Sequence, residues 1–401
     1  MTEVSSAVGD QASEDFRSEV REWCNVHVPT DWRTTQTGAS DETFVAFQKE
    51  WFATLRGAGY AVPHWPKEWG GGMSVADQVV LYQELAAHDA PRLVLPFVSI
   101  HHAASTLLAA GTDGQRSRHL PAILDGEIWC QGFSEPGAGS DMAALSTSAR
   151  RIGDHYLVNG QKLWASGALH ADWCLLLART DPDAPKRHGI SYFLLDMTSP
   201  GIEVRPIRQA TGEAHFCEIF LNDVEIPATQ LVGPENEGWQ VAQATLGAER
   251  GMTMLELAER LGHGGFPWLV DLCHRPGPDG ARPLDDSRVA DRLAALETEI
   301  TGLRLLCAEF VADHSGPADA SIVKLYYSEL LQRVMDFGAE IGGLEAQTQL
   351  RKPLSSGWES GTWVLDFIGS WEWTIPGGTS EIQRTIIGER GLRLPREPKG
   401  T

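Results

Sequence analysis

Three stretches of the sequence combine glycines with small hydroxyl residues, a pattern typical of loops that bring backbone N–H groups close to a ligand. They are QGFSEPGAGSD (131–141, the serine loop), NGQKLWASGA (159–168) and TIPGGTSEIQR (374–384). In the serine loop, Ser134 and Ser140 can pair with either donors or acceptors, although a tight turn would explain the same composition. The glycine spacing is not that of a dinucleotide-binding fingerprint, and no strand–helix–strand pattern surrounds it.

The second stretch carries a flat aromatic ring beside a hydroxyl. Trp164 and Ser166 are two residues apart, so in a strand they would share a face and could meet one planar ligand together. The alternative is that Trp164 belongs to the core, which is the usual place for a tryptophan in a strand. At the start of the stretch, Asn159-Gly160 lies between two strand-like runs and predicts a hairpin turn.

The whole chain limits the classes of function. Its 401 residues, 42% of them hydrophobic, are enough for two or three domains with a large core. The net charge of −21 argues against nucleic acid or an anionic membrane as a general partner. The polar opening residues, and the lack of about 18 consecutive apolar residues, predict a soluble, cytoplasmic protein. Six scattered cysteines without a CxxC pair favour small buried side chains over disulfides or a zinc site, and we expect no metal.

The hydrophobic pattern divides the chain into three parts. Apolar residues recur at helical spacing in the first third, at a spacing near two in the middle, and at helical spacing again from Gly238 onward. This order predicts an α+β fold with segregated layers and excludes a doubly wound α/β sheet. We expect an N-terminal helical domain over 1–126, an antiparallel β domain over 127–234 and a C-terminal four-helix bundle over 235–401.

The serine loop and the stretch 159–168, in this order, resemble motifs of the acyl-CoA dehydrogenase family. The similarity extends over nearly the whole chain, through WPKEWGG (65–71), GTDGQRSRHLPAILDGE (111–127), PGIEVRPI (200–207), DVEIPATQLVG (223–233), NEGWQVAQATLGAER (236–250) and GGTSEIQRTIIGERGLRLPREP (377–398). The resemblance implies the same three-part fold. It also implies oxidation of an acyl-CoA to the trans-2-enoyl-CoA by FAD, with an electron-transferring flavoprotein as acceptor.

The resemblance further implies that FAD lies between the β domain and the bundle, against the serine loop. Gln131, Phe133 and Ser134 would lie against the flavin ring. Ser140 would lie near the FAD pyrophosphate and near the pantetheine arm of the substrate. These roles agree with the loop's small residues but come from the family.

Two more groups of cofactor contacts follow from the same resemblance. Trp164 would shield the flavin ring, and the Ser166 hydroxyl would face its N5 atom. Thr379 and the backbone around Glu381 would face the pyrophosphate. Independently of the family, Thr379 or Ser380 is placed to cap the helix EIQRTIIGER, and a helix cap is compatible with an anion at the same end.

The catalytic base is not where most of the family carries it, because Gly377 occupies that position. A branch that includes the isovaleryl-CoA and long-chain acyl-CoA dehydrogenases carries its glutamate on the first long helix of the bundle, directly before an arginine. The corresponding dipeptide here is Glu249-Arg250, which implies Glu249 as the base and Arg250 as a residue near the CoA arm. Arg250 would otherwise be an ordinary surface charge.

The surroundings of Glu249 in the sequence give the assignment modest physical support. A helix would place Glu249 on a mostly apolar stripe, so that its carboxylate enters a desolvated site. The stripe consists of Ala242, Leu246 and Thr253, and we take Leu246 as a substrate contact. The alternative is that Glu249 is one of several solvated helix glutamates, like Glu256 and Glu259.

Gly377 keeps the backbone N–H that donates to the thioester oxygen in the family. It also frees the volume of a glutamate side chain beside the substrate, which suggests a branched or bulky acyl group. Relatives with a GGTSEIQR ending include enzymes acting on steroid side-chain CoA esters, and we expect that substrate class.

The oligomeric state is expected to differ from the family's usual homotetramer. An Arg-x-x-Phe-Gly loop that reaches a neighbour's FAD is replaced here by HRPGPDGARPLDD (274–286), with its arginine displaced to Arg275 or Arg282. We expect an α2β2 tetramer with a related subunit. Two other functions stay open, a non-catalytic partner subunit and a flavin monooxygenase or oxidase.

Overall fold

The computed structural model describes residues 11–248, 252–277, 279–312, 316 and 318–396. These residues divide into two compact units. The first comprises the described residues before position 48, residues 58–92 and those after position 251, and the second comprises 48–57 and 93–248. Helices, then strands, then helices follow one another along the chain, so the predicted α+β class is confirmed.

Helices occupy both ends of the described chain. They are α1 (Gln11–His27), α2 (Trp32–Gln36), α3 (Asp41–Gly57), α4 (Val75–Ala87), α5 (Ala104–Ala110), α6 (Asp113–Leu124), α7 (Gly238–Ala248), α8 (Met252–Arg260), α9 (Phe266–His274), α10 (Ser287–Ala312), α11 (Asp319–Ala346), α12 (Trp363–Ser370) and α13 (Ser380–Ile386). Side-chain caps fix several of their starts. Ser74 accepts from the Asp77 N–H at α4 (3.1 Å), and Thr112 and Gln115 form a capping box at α6.

The strands form one sheet in the second unit. They are β1 (Trp129–Gly132), β2 (Ser148–Ile152), β3 (His155–Ser166), β4 (Trp173–Arg179), β5 (Ile190–Asp196), β6 (Ile202–Ile207), β7 (Phe216–Pro227) and β8 (Leu231–Val232). The order is β6-β7-β3-β2-β4-β5-β8, with β1 paired to β4. After β1 the chain passes through the serine loop, β2 and β3 before β4 returns beside β1. As a result, β1 and β4 run parallel to each other. The sheet is therefore mixed: most strand pairs are antiparallel, as predicted, and the parallel pairs both involve β4.

The core of the second unit lies along β4 and β5, which are buried over nearly their whole length. A buried hydroxyl network fastens two helices to this part of the sheet. Thr106 of α5 lies 2.7 Å from Thr245 of α7, and the hydroxyl of Tyr192 on β5 lies 3.3 Å from each. The network holds α5 and α7 in place beside the sheet.

The hairpin predicted at Asn159-Gly160 is wrong, because both residues lie inside β3. The turn comes earlier, between β2 and β3, where Gly153 has a φ of 62°. At position 160, a Cβ atom would lie 2.4 Å from the Thr147 hydroxyl oxygen, so glycine is needed for close approach. The Asn159 side chain pairs with Asp223 at a bulge against β7.

The core of the first unit is built mainly from α8, α9, α10 and α11. All six cysteines of the chain are buried and none forms a disulfide, as predicted for small apolar side chains. Burial raises the pKa of Cys24 and Cys307 to about 12 and that of Cys273 to about 11. In the described part of the chain, no helix is both long and apolar enough to cross a membrane.

Candidate active site

The serine loop is held by a buried carboxylate at its centre. Glu135 accepts hydrogen bonds from the Ser146 N–H and hydroxyl (both 2.7 Å), from the Thr147 N–H (2.9 Å) and from the Lys162 ammonium (2.8 Å). Burial alone would raise the pKa of Glu135, but the charge of Lys162 and these hydrogen bonds outweigh it and lower the pKa to about 2. Burial lowers the pKa of Lys162, and the charge of Glu135 opposes that shift. Four donors around one carboxylate favour the ionised pair.

The same pair fixes the backbone on which the predicted cofactor contacts lie. Lys162 also donates to the Phe133 carbonyl (3.3 Å), and the Leu163 N–H donates to the Ser134 carbonyl (2.9 Å). Phe133 is buried, Ser134 is half-buried and Ser140 is exposed. Reciprocal hydrogen bonds between Glu135 and Ala138 close a turn, which confirms the tight-turn interpretation of this loop.

Trp164 lies at a β-bulge between β3 and β7 and is 54% exposed, so its assignment to the core is wrong. Its φ of 63° is in the left-handed region, which costs a tryptophan about 1–2 kcal/mol. The ring packs edge-on against Phe216, with centroids 5.9 Å apart. Ala165 is fully buried and Ser166 is exposed. The strand therefore presents Trp164 and Ser166 outward on either side of Ala165.

Gln131 of β1 is positioned by a residue that the sequence did not single out. The His102 Nδ1 lies 2.9 Å from the Gln131 Oε1, and His102 belongs to a π-helical turn over Val98–Ala103. Ser99 of the same turn accepts a hydrogen bond from the Trp129 N–H (2.9 Å). Such turns are frequent at functional sites. The sequence did not predict this one, because the adjacent His101 and His102 have no spacing that indicates a π-helical turn.

In the first unit, the terminal motif forms a loop with two consecutive residues in the left-handed region. Gly377 has a φ of 64° and Gly378 a φ of 93°. The Gln383 amide donates to both of their carbonyls (2.6 and 3.2 Å), and Lys324 donates to the Gly378 carbonyl (2.8 Å). The loop thus fixes its carbonyls, while the Gly377 N–H and the Gly378 N–H both lack an acceptor among the described residues.

The next residues begin α13. The Thr379 hydroxyl accepts from the Ile382 N–H (3.3 Å), which confirms the predicted helix cap. Glu381 is exposed, and hydrogen bonds from its own backbone N–H and from Thr379 lower its pKa. Ser380 is buried and does not act as the cap.

The predicted base and its neighbour, Glu249 and Arg250, lie outside the described residues. Of the stripe predicted to surround Glu249, Ala242 and Thr253 are buried and Leu246 is half-buried.

The comparison with Glu256 and Glu259 as solvated helix residues was wrong. Glu259 is 2% exposed and lies 2.6 Å from Arg304, and Glu256 pairs with Arg260 at 2.9 Å. Glu259 is held by an ion pair with another helix, α10, whereas Glu256 pairs within α8.

The predicted site residues fall into two groups. Gln131, Phe133, Ser134, Ser140, Trp164 and Ser166 lie in the second unit, on β1, the serine loop and β3. Gly377, Thr379 and Glu381 lie in the first unit, at the start of α13. Each group has a backbone held by buried side chains, which is what a preorganised binding surface requires.

Comparison with known proteins agrees with this architecture. The models of the acyl-CoA dehydrogenase N-terminal, middle and C-terminal domains match residues 10–127, 130–224 and 236–392. Acyl-CoA dehydrogenase IpdE1 of Mycobacterium tuberculosis is 37% identical over 404 residues, covering 97% of this chain and 100% of that protein.

Solved structures give the same result. The Tcur3481-Tcur3483 steroid ACAD superposes with a TM-score of 0.79 at 28% identity, over 97% of this chain and 100% of that one. The ChsE4-ChsE5 complex from Mycobacterium tuberculosis superposes with a TM-score of 0.78 at 30% identity, over 97% and 99% of the two chains. By fold, by sequence and by the order of its three domain matches, the chain belongs to the acyl-CoA dehydrogenase family, a family of flavin-dependent oxidoreductases.

Proposed function

We propose that the chain binds FAD and oxidises an acyl-CoA thioester to the trans-2-enoyl-CoA. The observation that carries the proposal is the outward Trp164 ring beside a serine loop whose backbone is pinned by Glu135 and Lys162. A strained, exposed aromatic ring next to a fixed backbone suits the flat surface of a flavin, and the strain is of the kind retained at functional sites. FAD, when bound, supplies the two-electron acceptor for the hydrogen at Cβ.

The chain's own residues would manage the proton and the developing charge. We assign removal of the Cα proton to Glu249, which the buried Ala242 and Thr253 flank in the sequence. A glutamate in a desolvated site has a pKa raised from about 4.3 towards neutrality, which strengthens it as a base. The unused N–H of Gly377 would donate to the thioester oxygen as it gains negative charge. Leu246 and Arg250 are assigned to the substrate, as is Ser140.

We assign the substrate to acyl groups that are bulky or branched near the thioester, such as steroid side chains. Glycine at position 377 leaves room there. One similar solved structure is a steroid ACAD, which supports the same class. The roles of Gln131, Phe133, Ser134, Ser166, Thr379 and Glu381 towards FAD remain part of this proposal.

Partners and organisation are assigned in the same way. Electron-transferring flavoprotein would reoxidise the flavin in the cytoplasm. A related subunit would complete an α2β2 tetramer, which is supported by the paired names Tcur3481-Tcur3483 and ChsE4-ChsE5 of two similar structures. We also propose that the chain consists of an N-terminal domain over 1–126, a β domain over 127–234 and a C-terminal bundle over 235–401.

Anaerobic mixing of the purified protein with a panel of acyl-CoAs tests the reaction and the base together. Wild type should bleach the flavin absorbance, whereas Glu249→Gln should slow bleaching by about a hundredfold or more, as loss of a general base does. Glu297→Gln, an exposed glutamate of α10, is the matched control and should behave as wild type.

Two outcomes would redirect the assignment. Full turnover by Glu249→Gln, alone or with a partner subunit, would indicate that this chain is not the catalytic one. Rapid reaction of the reduced flavin with oxygen would instead indicate an oxidase or monooxygenase.

A further inference from the structure

The turn that carries Gly377 consists of residues that do not hold one shape by themselves. Pro376 and Gly377 form the turn, and Gly377 and Gly378 both lie in the left-handed region, at φ values of 64° and 93°. Glycine enters this region without strain, but it visits many other conformations at a similar cost. A turn with two glycines therefore needs contacts from elsewhere in the fold to keep one conformation.

Gln383 of α13 supplies the first of these contacts through its side-chain amide. Its Nε2 atom donates to the Gly377 carbonyl (2.6 Å) and to the Gly378 carbonyl (3.2 Å). Gln383 is fully buried, and no donor among the described residues reaches its Oε1 atom. Turning the amide over would bring Oε1 against two carbonyl oxygens, which cannot donate to it. Both amide hydrogens of Gln383 are thus committed to the turn.

Lys324 of α11 supplies a further contact. Its Nζ atom donates to the Gly378 carbonyl (2.8 Å), from a position 54 residues away in sequence. Lys324 is 4% exposed, and withdrawal of an ammonium group from water is unfavourable unless protein groups take the place of the water. A charged donor also binds a carbonyl oxygen more tightly than a neutral donor does. Lys324 therefore anchors the turn firmly to a second helix.

The two helices that carry these anchors are also joined to each other. Arg384, next to Gln383 on α13, donates to Glu329 of α11 (2.5 Å). Both side chains of this pair are partly exposed, so it contributes little to stability by itself. It nevertheless connects the first turns of α13 to α11 independently of Lys324. The glycine turn is thus held between two helices that are connected beside it.

The anchors bind carbonyl oxygens and leave the Gly377 N–H unobstructed. No acceptor among the described residues pairs with this N–H, which we have assigned to the thioester oxygen. A donor stabilises developing negative charge best when it is already oriented, because no reorientation is then needed during the reaction. The Gly377 carbonyl is fixed on one side of the N–H, and the ring of Pro376 restricts the backbone on the other. Little freedom remains to turn the N–H away.

Packing alone would not require polar anchors at these positions. A methionine would fill similar space without burying an ammonium group or leaving an acceptor unpaired. Gln332, also on α11, offers a contrast, because its amide donates to the Thr374 hydroxyl (3.3 Å) and to no glycine carbonyl. The buried anchors Gln383 and Lys324 are instead directed at the carbonyls of the two glycines.

We propose that Gln383 and Lys324 are positioning residues of the reaction. They act through the Gly377 backbone and hold its N–H where negative charge develops on the thioester oxygen. This inference rests on the proposed acyl-CoA dehydrogenation and adds to it two residues whose role is to orient a donor.

The kinetic test uses Gln383→Met and Lys324→Met, which remove the donors and keep side chains of similar length. Each should slow flavin bleaching at saturating acyl-CoA about tenfold to a hundredfold, because a donor displaced by about 1 Å loses much of its effect on the transition state. The acyl-CoA concentration that gives half this rate should change by less than about twofold, since the interaction strengthens only as charge develops. Gln332→Met, on α11, is the matched control and should bleach at the wild-type rate.

A vibrational measurement follows the hydrogen bond itself. The trans-2-enoyl-CoA, isotopically labelled at its thioester carbonyl carbon, is bound to the FAD-loaded protein, and isotope-edited infrared spectra give its C=O stretching frequency. Since a hydrogen bond to the oxygen lowers this frequency, the band in wild type and in Gln332→Met should lie below its position in water. In Gln383→Met and Lys324→Met it should return towards that position. A role in stability alone would lower the Tm of these variants and leave the band at its wild-type position.

Wild-type bleaching rates in Gln383→Met and Lys324→Met, with an unmoved band, would overturn the inference. Absence of bleaching by wild type with every acyl-CoA would count against the proposed function instead. The infrared comparison then judges the turn, and equal bands in wild type and the two variants overturn the inference.

A second variant serves if Gln383→Met does not fold. Gln383→Glu is nearly unchanged in size, but its carboxylate has no hydrogen to donate to the two glycine carbonyls. The same slower bleaching and the same return of the band are expected from it, and wild-type behaviour in both measurements would overturn the inference.

Discussion

The Lys162 ammonium lies 2.8 Å from the Glu135 carboxylate, and neither side chain is more than 5% exposed. The pair joins the serine loop to β3 just before Trp164. Because Lys162 also donates to the Phe133 carbonyl, the loop backbone and the strand that carries the exposed ring are fixed relative to each other.

Lys162→Met should leave the Glu135 carboxylate buried without its partner. We expect the free energy of unfolding to fall by about 3–5 kcal/mol, as is usual when one member of a buried pair is removed. The released loop should also retain less FAD. Chemical denaturation and the ratio of flavin to protein absorbance measure the two effects.

Lys186→Met is the control for this change. Lys186 pairs with Asp141 at 2.7 Å, but both side chains are well exposed. Such a pair contributes about 0–1 kcal/mol. Equal stability of Lys162→Met and Lys186→Met would show that the buried pair does not hold the loop.

Trp164→Ala should weaken FAD binding while changing stability little. Loss of the contact with Phe216 costs about 0.5–1.5 kcal/mol. Trp164→Gly should be about 1 kcal/mol more stable than Trp164→Ala, since glycine accepts a φ of 63° without strain. Fluorescence titration of the apoprotein with FAD and denaturation curves check both expectations.

Phe220→Ala, a half-buried aromatic on the neighbouring β7, is the comparison. This substitution should lower the free energy of unfolding without weakening FAD binding. An unchanged FAD affinity in Trp164→Ala would remove Trp164 from the cofactor site.

Gly377→Ala should cost about 1–2 kcal/mol of stability, because alanine at a φ of 64° is strained. The backbone N–H is retained, so activity should persist. If the missing side chain makes room for branching near the thioester, kcat/KM should fall about tenfold more for branched than for straight acyl-CoAs, the effect of one methylene in a pocket. An equal loss for both classes would show that the space at position 377 does not select the substrate.

Asp366 should make the protein less stable as the pH rises, whereas most carboxylates in folded proteins do the opposite. Burial raises its pKa to about 7, despite the charge of Lys352 and hydrogen bonds from Ser360. In the unfolded chain the pKa is about 4, so the native state binds the extra proton. The stabilisation that Asp366 contributes to the folded state is therefore present below about pH 4 and is lost as the pH rises towards 7.

Denaturation of wild type and Asp366→Asn across this range measures the contribution. Wild type should lose stability relative to Asp366→Asn as the pH rises from about 4 to 7. Asp291→Asn, at an exposed position, should run parallel to wild type. A wild type that gains stability relative to Asp366→Asn over this range would show that the native carboxyl is ionised.

The loops of the candidate site were predictable because their requirements are local. A positive φ at Gly377 and Gly378, and a cap at Thr379, leave a signature in residue type at those positions. The same holds for the small residues of the serine loop. The ion pair that holds the serine loop was not predictable. Glu135 and Lys162 are 27 residues apart and meet only because the folded chain places the loop beside β3.

Burial of charge was the main feature that periodicity could not reveal. Glu259 on α8 has the pattern of a surface residue, yet Arg304 of α10 draws it inside. Glu359 lies in the irregular segment between α11 and α12, where no period exists to interpret. One of its neighbours is Gly265, which is distant in sequence.

Because every native thiol is buried and burial keeps the pKa of at least Cys24, Cys273 and Cys307 far above neutrality, thiolate is scarce at physiological pH. A maleimide probe should therefore react slowly with the unmodified protein. A single cysteine introduced at an exposed position outside the proposed site, such as Glu297 of α10, would take up a fluorophore selectively without removal of any native residue from the core.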